Sequence, residues 1–142
     1  MIYLDTGCLV KLYYPEPDSA AVVERVAGRP TFFTPLHELE VVNALNLMRF
    51  RGQATESQVL AAMNVIEADL ESGVLVAPPA GWPIPFPVAA RLALCHSPMI
   101  GCRSLDILHC ASSDELRAVE FVTTDERQSR LAQAMGLKWV PL

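Results

Sequence analysis

The chain of 142 residues has no apolar run near the roughly 18 residues that a membrane-crossing helix requires. Its first residues also lack a basic flank and an uncharged apolar stretch, so a cytoplasmic protein with no membrane partner is expected. Cysteine is unpatterned: Cys8, Cys95, Cys102 and Cys110 show no C-x-x-C spacing, which disfavours a zinc knuckle or redox pair and favours buried, reduced thiols. Basic charge is in deficit, with 11 Lys and Arg against 16 Asp and Glu. At a formal charge of −5 the whole molecule repels phosphate. A nucleic-acid role therefore has to rest on local basic groups or a bound cation, and a pure nucleic-acid-binding module is disfavoured. No internal repeat is found.

With 51% hydrophobic and 19% charged residues, the chain lies well inside the globular class. Its length suits one domain over residues 1–142.

Ile2 to Leu4 read as a short buried strand that delivers Asp5 at its C-terminal end. A helical pattern from Leu9 is broken by Pro15 and Pro17; Asp18 then caps a helix to about Val26, closed by Gly28. Thr31 to Phe33 suit a second strand. Thr34-Pro35 starts a helix with a stripe of Leu36, Leu39, Val42, Leu45 and Met48. Thr55 to Gln58 is a capping box for a helix bearing Val59, Met63, Ile66 and Leu70, antiparallel to the previous one across Arg51-Gly52. The proline cluster from Pro78 to Pro87 reads as a loop. Beyond it come helices over about Val88–His96 and Ser104–Arg117, a strand over Val119–Val122, a helix over Asp125–Met135 and a last strand over Lys138–Val140. Strands alternating with helices predict an α/β domain with a mostly parallel sheet. Ligands in such folds sit beyond the carboxyl ends of the strands, where Asp5 and Asp125 fall.

Asp5-Thr6-Gly7 is the tripeptide of aspartic proteases, which need two such aspartates sharing a proton on β-rich lobes. Only one is present, and helical periodicity dominates, so the tripeptide directs attention to other acids. Glu40, Asp106 and Asp125 join Asp5 by placement. Glu40 shares a helix face with positions 43, 44 and 47, beside the leucine stripe. Asp106 lies in a first helical turn among apolar neighbours, where an uncompensated charge is costly.

Each acid also has a plainer explanation. Asp125 could cap its helix with Gln128 completing a box, Asp106 could answer a helix dipole, Glu40 could pair with Arg49 or Arg51, and Asp5 could cap the next helix. Convergence on one sheet edge favours a shared role instead. Two carboxylates about 4 Å apart repel by roughly 4 kcal/mol at an effective dielectric near 20, a penalty that a divalent cation removes. An all-oxygen site suits magnesium or manganese and points to phosphodiester hydrolysis.

The four segments resemble, in order, the motifs of a PIN domain, in particular the VapC-type toxins of toxin-antitoxin pairs. "MIYLDTGCLVKLY" is similar to the first, with Asp5; "TPLHELEVVNAL" to the second, with Glu40; "GCRSLDILHCASS" to the third, with Asp106; and "FVTTDERQSRLAQAMGL" to the fourth, with Asp125. The resemblance implies a Rossmann-like three-layer α/β/α sandwich and a Mg2+- or Mn2+-dependent ribonuclease. It also implies a homodimer and a cognate antitoxin whose tail occupies the acidic groove. Thr6 matches the family's hydroxyl residue after the first aspartate. Gly7 departs from the usual serine or asparagine.

Arg103, Arg127 and Arg130 are placed to meet RNA phosphates, as is Lys11 in the first helix, and Thr123 and Thr124 offer hydroxyls near Asp125. His37-x-x-Glu40 and Asp106-x-x-His109 pair imidazole with carboxylate at helical spacing, as di-iron bundles do in reverse order. Interposed strands make helix packing or an ordinary hydrogen bond the better reading of both histidines. A non-catalytic PIN-like binding module and a structure-specific DNA nuclease are the alternatives to a ribonuclease.

Overall fold

Ile2, Tyr3 and Leu4 point alternately to opposite faces of a sheet, and both faces are apolar. In the computed structural model, which describes residues 1–142, the strands are β1 (Tyr3–Leu4), β2 (Thr31–Phe32), β3 (Leu75–Val76) and β4 (Phe121–Val122). The helices are α1 (Thr6–Tyr13), α2 (Ser19–Val26), α3 (Pro35–Phe50), α4 (Glu56–Ser72), α5 (Phe86–Ile100), α6 (Ser104–Glu115) and α7 (Glu126–Ala134). β1 pairs in parallel with β4, and β2 in parallel with β3. Bridges from Ile2 to Thr31 and from Phe121 to Trp139 extend this to one parallel array. Its order is β3-β2-β1-β4 and then the Trp139 segment.

Ile2, Leu4 and Val122 pack with Leu9 of α1, Val22 of α2, Val41 and Leu45 of α3, and Val59 and Ile66 of α4. Tyr3 and Phe121 pack on the other face with Ala89 of α5, Ile107 and Leu108 of α6, and Leu131 of α7. Each fully buried large apolar side chain contributes about 1.5–3 kcal/mol. Two apolar faces thus produce the expected three-layer α/β/α sandwich. The chain builds outward from β1 to β3 with α1 to α4 on one face. It then returns to β4 on the far side of β1, and right-handed crossovers put α5 and α6 on the opposite face. The reversal opens a crevice at the carboxyl ends of β1 and β4.

Several boundaries differ from expectation for local reasons. α1 starts at Thr6 rather than Leu9, because the Asp5 side chain caps it by accepting from the Cys8 amide at 2.6 Å. α5 is longer than expected: it begins at Phe86 with Pro87 in its first turn, where a missing N–H does no harm, and runs through Pro98. β3 was not anticipated, having only two residues before the proline cluster. The last strand reduces to the single bridge at Trp139.

The apolar stripe of α3 is corrected as well. Leu36 and Leu45 are buried, but Leu39 is 65% exposed and Val42 38% exposed, while His37 and Val41 take the inner face. Steps of three residues drift 60° backward per step, so five of them cannot share a face. The expected capping box of Thr55 and Gln58 forms on α4, and the helix start at Thr34 proves to be a second box, with His37.

Two buried polar anchors tie helices to the sheet. Glu120, beside β4, is 2% exposed and ion-paired with Arg25 and Arg29, which secures the end of α2. His37 accepts the Thr34 amide on Nδ1 at 3.0 Å and donates from Nε2 to the Leu4 carbonyl at 2.8 Å, joining the start of α3 to β1.

Burial, opposed by the Leu4 hydrogen bond, lowers the His37 pKa to about 3. The unfolded chain takes up this proton near pH 6.5 and the folded chain does not, so stability is complete above about pH 6.5. It falls by up to about 1.4 kcal/mol per pH unit from there toward about pH 3. The melting temperature is expected to drop further between pH about 7 and about 5 in the wild type than in His37→Gln. Equal drops would clear His37 of the effect.

Candidate active site

Four elements deliver the carboxylates. Asp5 follows β1 directly: Oδ1 caps α1, and Oδ2 accepts from the Thr123 hydroxyl at 2.5 Å. Thr123 follows β4, is buried, and accepts the Asp125 amide at 2.9 Å. Asp125 caps α7 by accepting from the Gln128 amide at 2.9 Å. Asp106 lies in the first turn of α6 and accepts the Arg103 amide on Oδ2 at 3.2 Å. The positive ends of three helices therefore face one crevice, and each holds an aspartate, which offsets part of their mutual repulsion.

Glu40 arrives differently, from the second turn of α3. Its Oε2 accepts from the Thr6 hydroxyl at 2.8 Å and from His109 Nε2 at 2.5 Å. Partial burial raises the Glu40 pKa, but the His109 hydrogen bond, the Thr6 hydroxyl and Arg103 together bring it below the usual glutamate value. The plainer alternative of a pair with Arg49 does not form, since Arg49 pairs with Glu56.

Asp5, Glu40, Asp106 and Asp125 line a single cavity of about 350 Å³ with no hydrophobic residue in its wall. Arg103 lies across it. The guanidinium donates to Asp106 from Nε at 2.8 Å and from Nη2 at 3.2 Å, and Nη2 stands 3.7 Å from Asp125. These contacts raise the Arg103 pKa, the Asp106 hydrogen bond most of all. With the side chains so engaged, no three acids, histidines or cysteines converge as a ready-made metal cage.

The other predicted residues divide. Thr6 lines the cavity, as does Thr124. Thr123 stands behind it as the link between Asp5 and Asp125. Lys11 is drawn away, its ammonium 2.5 Å from Asp18, in a neighbouring groove. Arg127 donates to the Gly101 carbonyl at 3.2 Å, and neither it nor Arg130 reaches the cavity wall. A Cβ at Gly7 would meet Asp5 Oδ1 at 3.5 Å, an ordinary contact, so space does not dictate the glycine.

Two wall residues escaped the sequence reading. Gln128 is 2% exposed and does not complete a capping box: its Nε2 donates to Asp106 at 3.3 Å, and its Oε1 has no partner. His109 makes the ordinary hydrogen bond that was one of its two sequence readings, but its partner, Glu40 across the cavity, was not foreseen. The signal for His109 was its one-turn offset from Asp106.

Comparison with known proteins places the chain in a family. The sequence profile of the PIN domain family matches residues 2–134, and the chain belongs to that family. It is 28% identical to Ribonuclease VapC35 of Mycobacterium tuberculosis in strain CDC 1551 / Oshkosh and in strain H37Rv, covering 96% of this chain and 93% of each relative. Among solved structures, FitAcB from Neisseria gonorrhoeae superposes with a TM-score of 0.64 at 15% identity, over 98% of this chain and 96% of that one. That likeness concerns the fold.

The donor set fits a hard divalent cation: carboxylate oxygens from four elements, beside a buried amide oxygen with no partner of its own. Thr123 is the covalently simplest part of this site to test. Thr123→Val keeps the shape but strands Asp5 Oδ2 and the Asp125 amide, and is expected to cost about 1–3 kcal/mol in urea unfolding at unchanged m-value. A loss below about 0.5 kcal/mol would deny it this linking role.

Proposed function

We propose that this chain, a single PIN domain over residues 1–142, is a divalent-metal-dependent endoribonuclease and the toxin of a toxin-antitoxin pair. The observation that carries the reading is the convergence of Asp5, Glu40, Asp106 and Asp125 on one wholly polar cavity at the ends of β1 and β4. The relatives named Ribonuclease VapC35, matched over nearly their whole length, support the same reading.

In this reading the four acids hold Mg2+ or Mn2+ at the crevice. The cation, when bound, supplies charge neutralisation for the scissile phosphate and acidifies a water. The chain's own residues do the rest. Thr123 and the α1 amide fix Asp5, and Thr6 and His109 fix Glu40. Arg103 gives up Asp106 to the cation and turns to RNA phosphate, a move its 73% side-chain exposure permits. Arg127 and Arg130 extend the phosphate contacts along α7, and Lys11 joins them by leaving Asp18. No helix is long and apolar enough to cross a membrane, and the proposed location is the cytoplasm.

The antitoxin has a suitable seat. A groove of about 550 Å³ shares Thr6, Gly7 and Glu40 with the acid cavity and continues over Leu39, Leu47 and Leu105. A segment lying there with its tail in the cavity would block substrate. A second copy of the chain has one as well: α5 exposes Phe86 at 62%, Leu94 at 80% and Met99 at 74%, and its only charged residue is Arg91.

One observation favours a second reading. Arg103 already bridges Asp106 and Asp125, so the cluster is partly self-neutralised and a non-catalytic module binding RNA or protein would need no cation.

Purified protein incubated with a panel of cellular RNAs is expected to cut in the presence of manganese, to stop with chelator, and to lose orders of magnitude in rate as Asp5→Asn. Flapped DNA run alongside identifies a DNA nuclease if it is the preferred substrate. At a hundredfold excess over its dissociation constant, manganese is expected to stabilise the fold by roughly 2.7 kcal/mol. No shift in melting temperature, or chelator-resistant cleavage, would remove the reading.

Sedimentation is expected to give a dimer for the wild type and a monomer for Leu94→Glu, which puts a charge at an apolar residue of α5 that is 80% exposed. A wild-type monomer at all concentrations would exclude the homodimer.

A further inference from the structure

Glu40 is the one acid of the cavity that no helix N-terminus holds. Asp5, Asp106 and Asp125 each bond a backbone amide at the start of α1, α6 or α7. Glu40 has a longer side chain and is only half-buried, so its rotamers would be open without other restraint. What restrains it is the Thr6 hydroxyl and, from the buried side, His109.

His109 is 2% exposed and carries hydrogen bonds on both ring nitrogens. Tyr3 Oη lies 3.0 Å from Nδ1, and Glu40 Oε2 lies 2.5 Å from Nε2. Tyr3 is wholly buried with its hydroxyl against Nδ1, and the Glu40 carboxylate against Nε2 can only accept. The ring hydrogen is then on Nε2, aimed at Glu40. The ring has no room to turn, with His37 at 4.9 Å between centroids and Tyr3 edge-on at 5.7 Å. Both donors to Glu40, His109 and Thr6, meet Oε2, which leaves Oε1 without a protein partner.

His109 also stands one turn beyond Asp106 on α6. The contact therefore fixes α3 relative to α6 and one carboxylate relative to another.

We propose that His109, oriented by Tyr3, is a positioning residue that presents Glu40 Oε1 to a divalent cation in the acid cavity. This rests on the metal-dependent reading given above. Partners of this kind behind a ligand typically change metal affinity 10- to 100-fold.

Manganese binding followed by electron paramagnetic resonance of the free ion tests this without using activity. His109→Ala is expected to weaken binding about 10- to 100-fold, and His109→Gln, whose amide can donate from nearly the same point as Nε2, to recover most of the loss. Glu40→Gln should weaken binding similarly, with the Glu40→Gln/His109→Ala pair no worse than the larger single effect. Tyr3→Phe, which removes one hydroxyl from a buried ring, is expected to weaken binding by less than His109→Ala does, by releasing the tautomer. It serves with His109→Gln if His109→Ala does not fold.

A His109→Ala protein that melts lower but binds manganese within twofold of wild type would overturn the proposal and leave His109 as packing. So would a His109→Gln protein as weak as His109→Ala. If wild type itself fails to bind manganese, or Glu40→Gln binds as tightly as wild type, the metal reading falls and takes the proposal with it. Those results are distinct from a loss confined to His109.

Discussion

Negative charge gathered at one point of a parallel sheet is the constraint around which this molecule is arranged. Four carboxylates sit in a cavity that no apolar residue lines, and left to themselves they would repel by several kcal/mol. The fold answers with fixed dipoles and donors. Three helices begin at the cavity and supply backbone amides, Thr123 and Thr6 supply hydroxyls, and His109 supplies a ring N–H. Arg103 alone supplies a full charge, and it comes from a side chain that is mostly exposed and able to leave.

The sheet makes this arrangement available. Apolar residues on both faces of β1 and β4 require helices on both sides, and the chain supplies them by reversing its direction of travel after β3. The reversal puts β1 beside β4, so the residues just past each strand end become neighbours although Asp5 and Asp125 are 120 positions apart in the chain. Thr123 records this contact, bonding Asp5 on one side and the Asp125 amide on the other.

Plain and functional explanations of an acidic residue turn out to be compatible here. Asp5 and Asp125 do cap α1 and α7. A cap uses one carboxylate oxygen and holds the side chain still, which is also what a ligand needs. Glu40 shows the other solution: where no helix start is at hand, a buried aromatic and imidazole pair takes over the same task.

The sequence by itself determined the fold class, the order of the helices with β1, β2 and β4, and the four acids as candidates. These follow from local signals: alternation in short strands, caps such as Thr55 with Gln58, and acids at strand ends or first turns. It did not determine which residues of α3 face inward, because a three-residue spacing drifts around the helix and only the neighbouring layer selects Val41 over Val42. Nor did it give the roles of His109 and Gln128, whose partners are 69 and 22 positions away. Contacts across elements depend on how layers stack, and that is settled by burial of the whole core rather than by any stretch of chain. Lys11 is the converse: a well-placed cation by position, it is held by Asp18 seven residues on, because an exposed carboxylate lay nearer than the cavity.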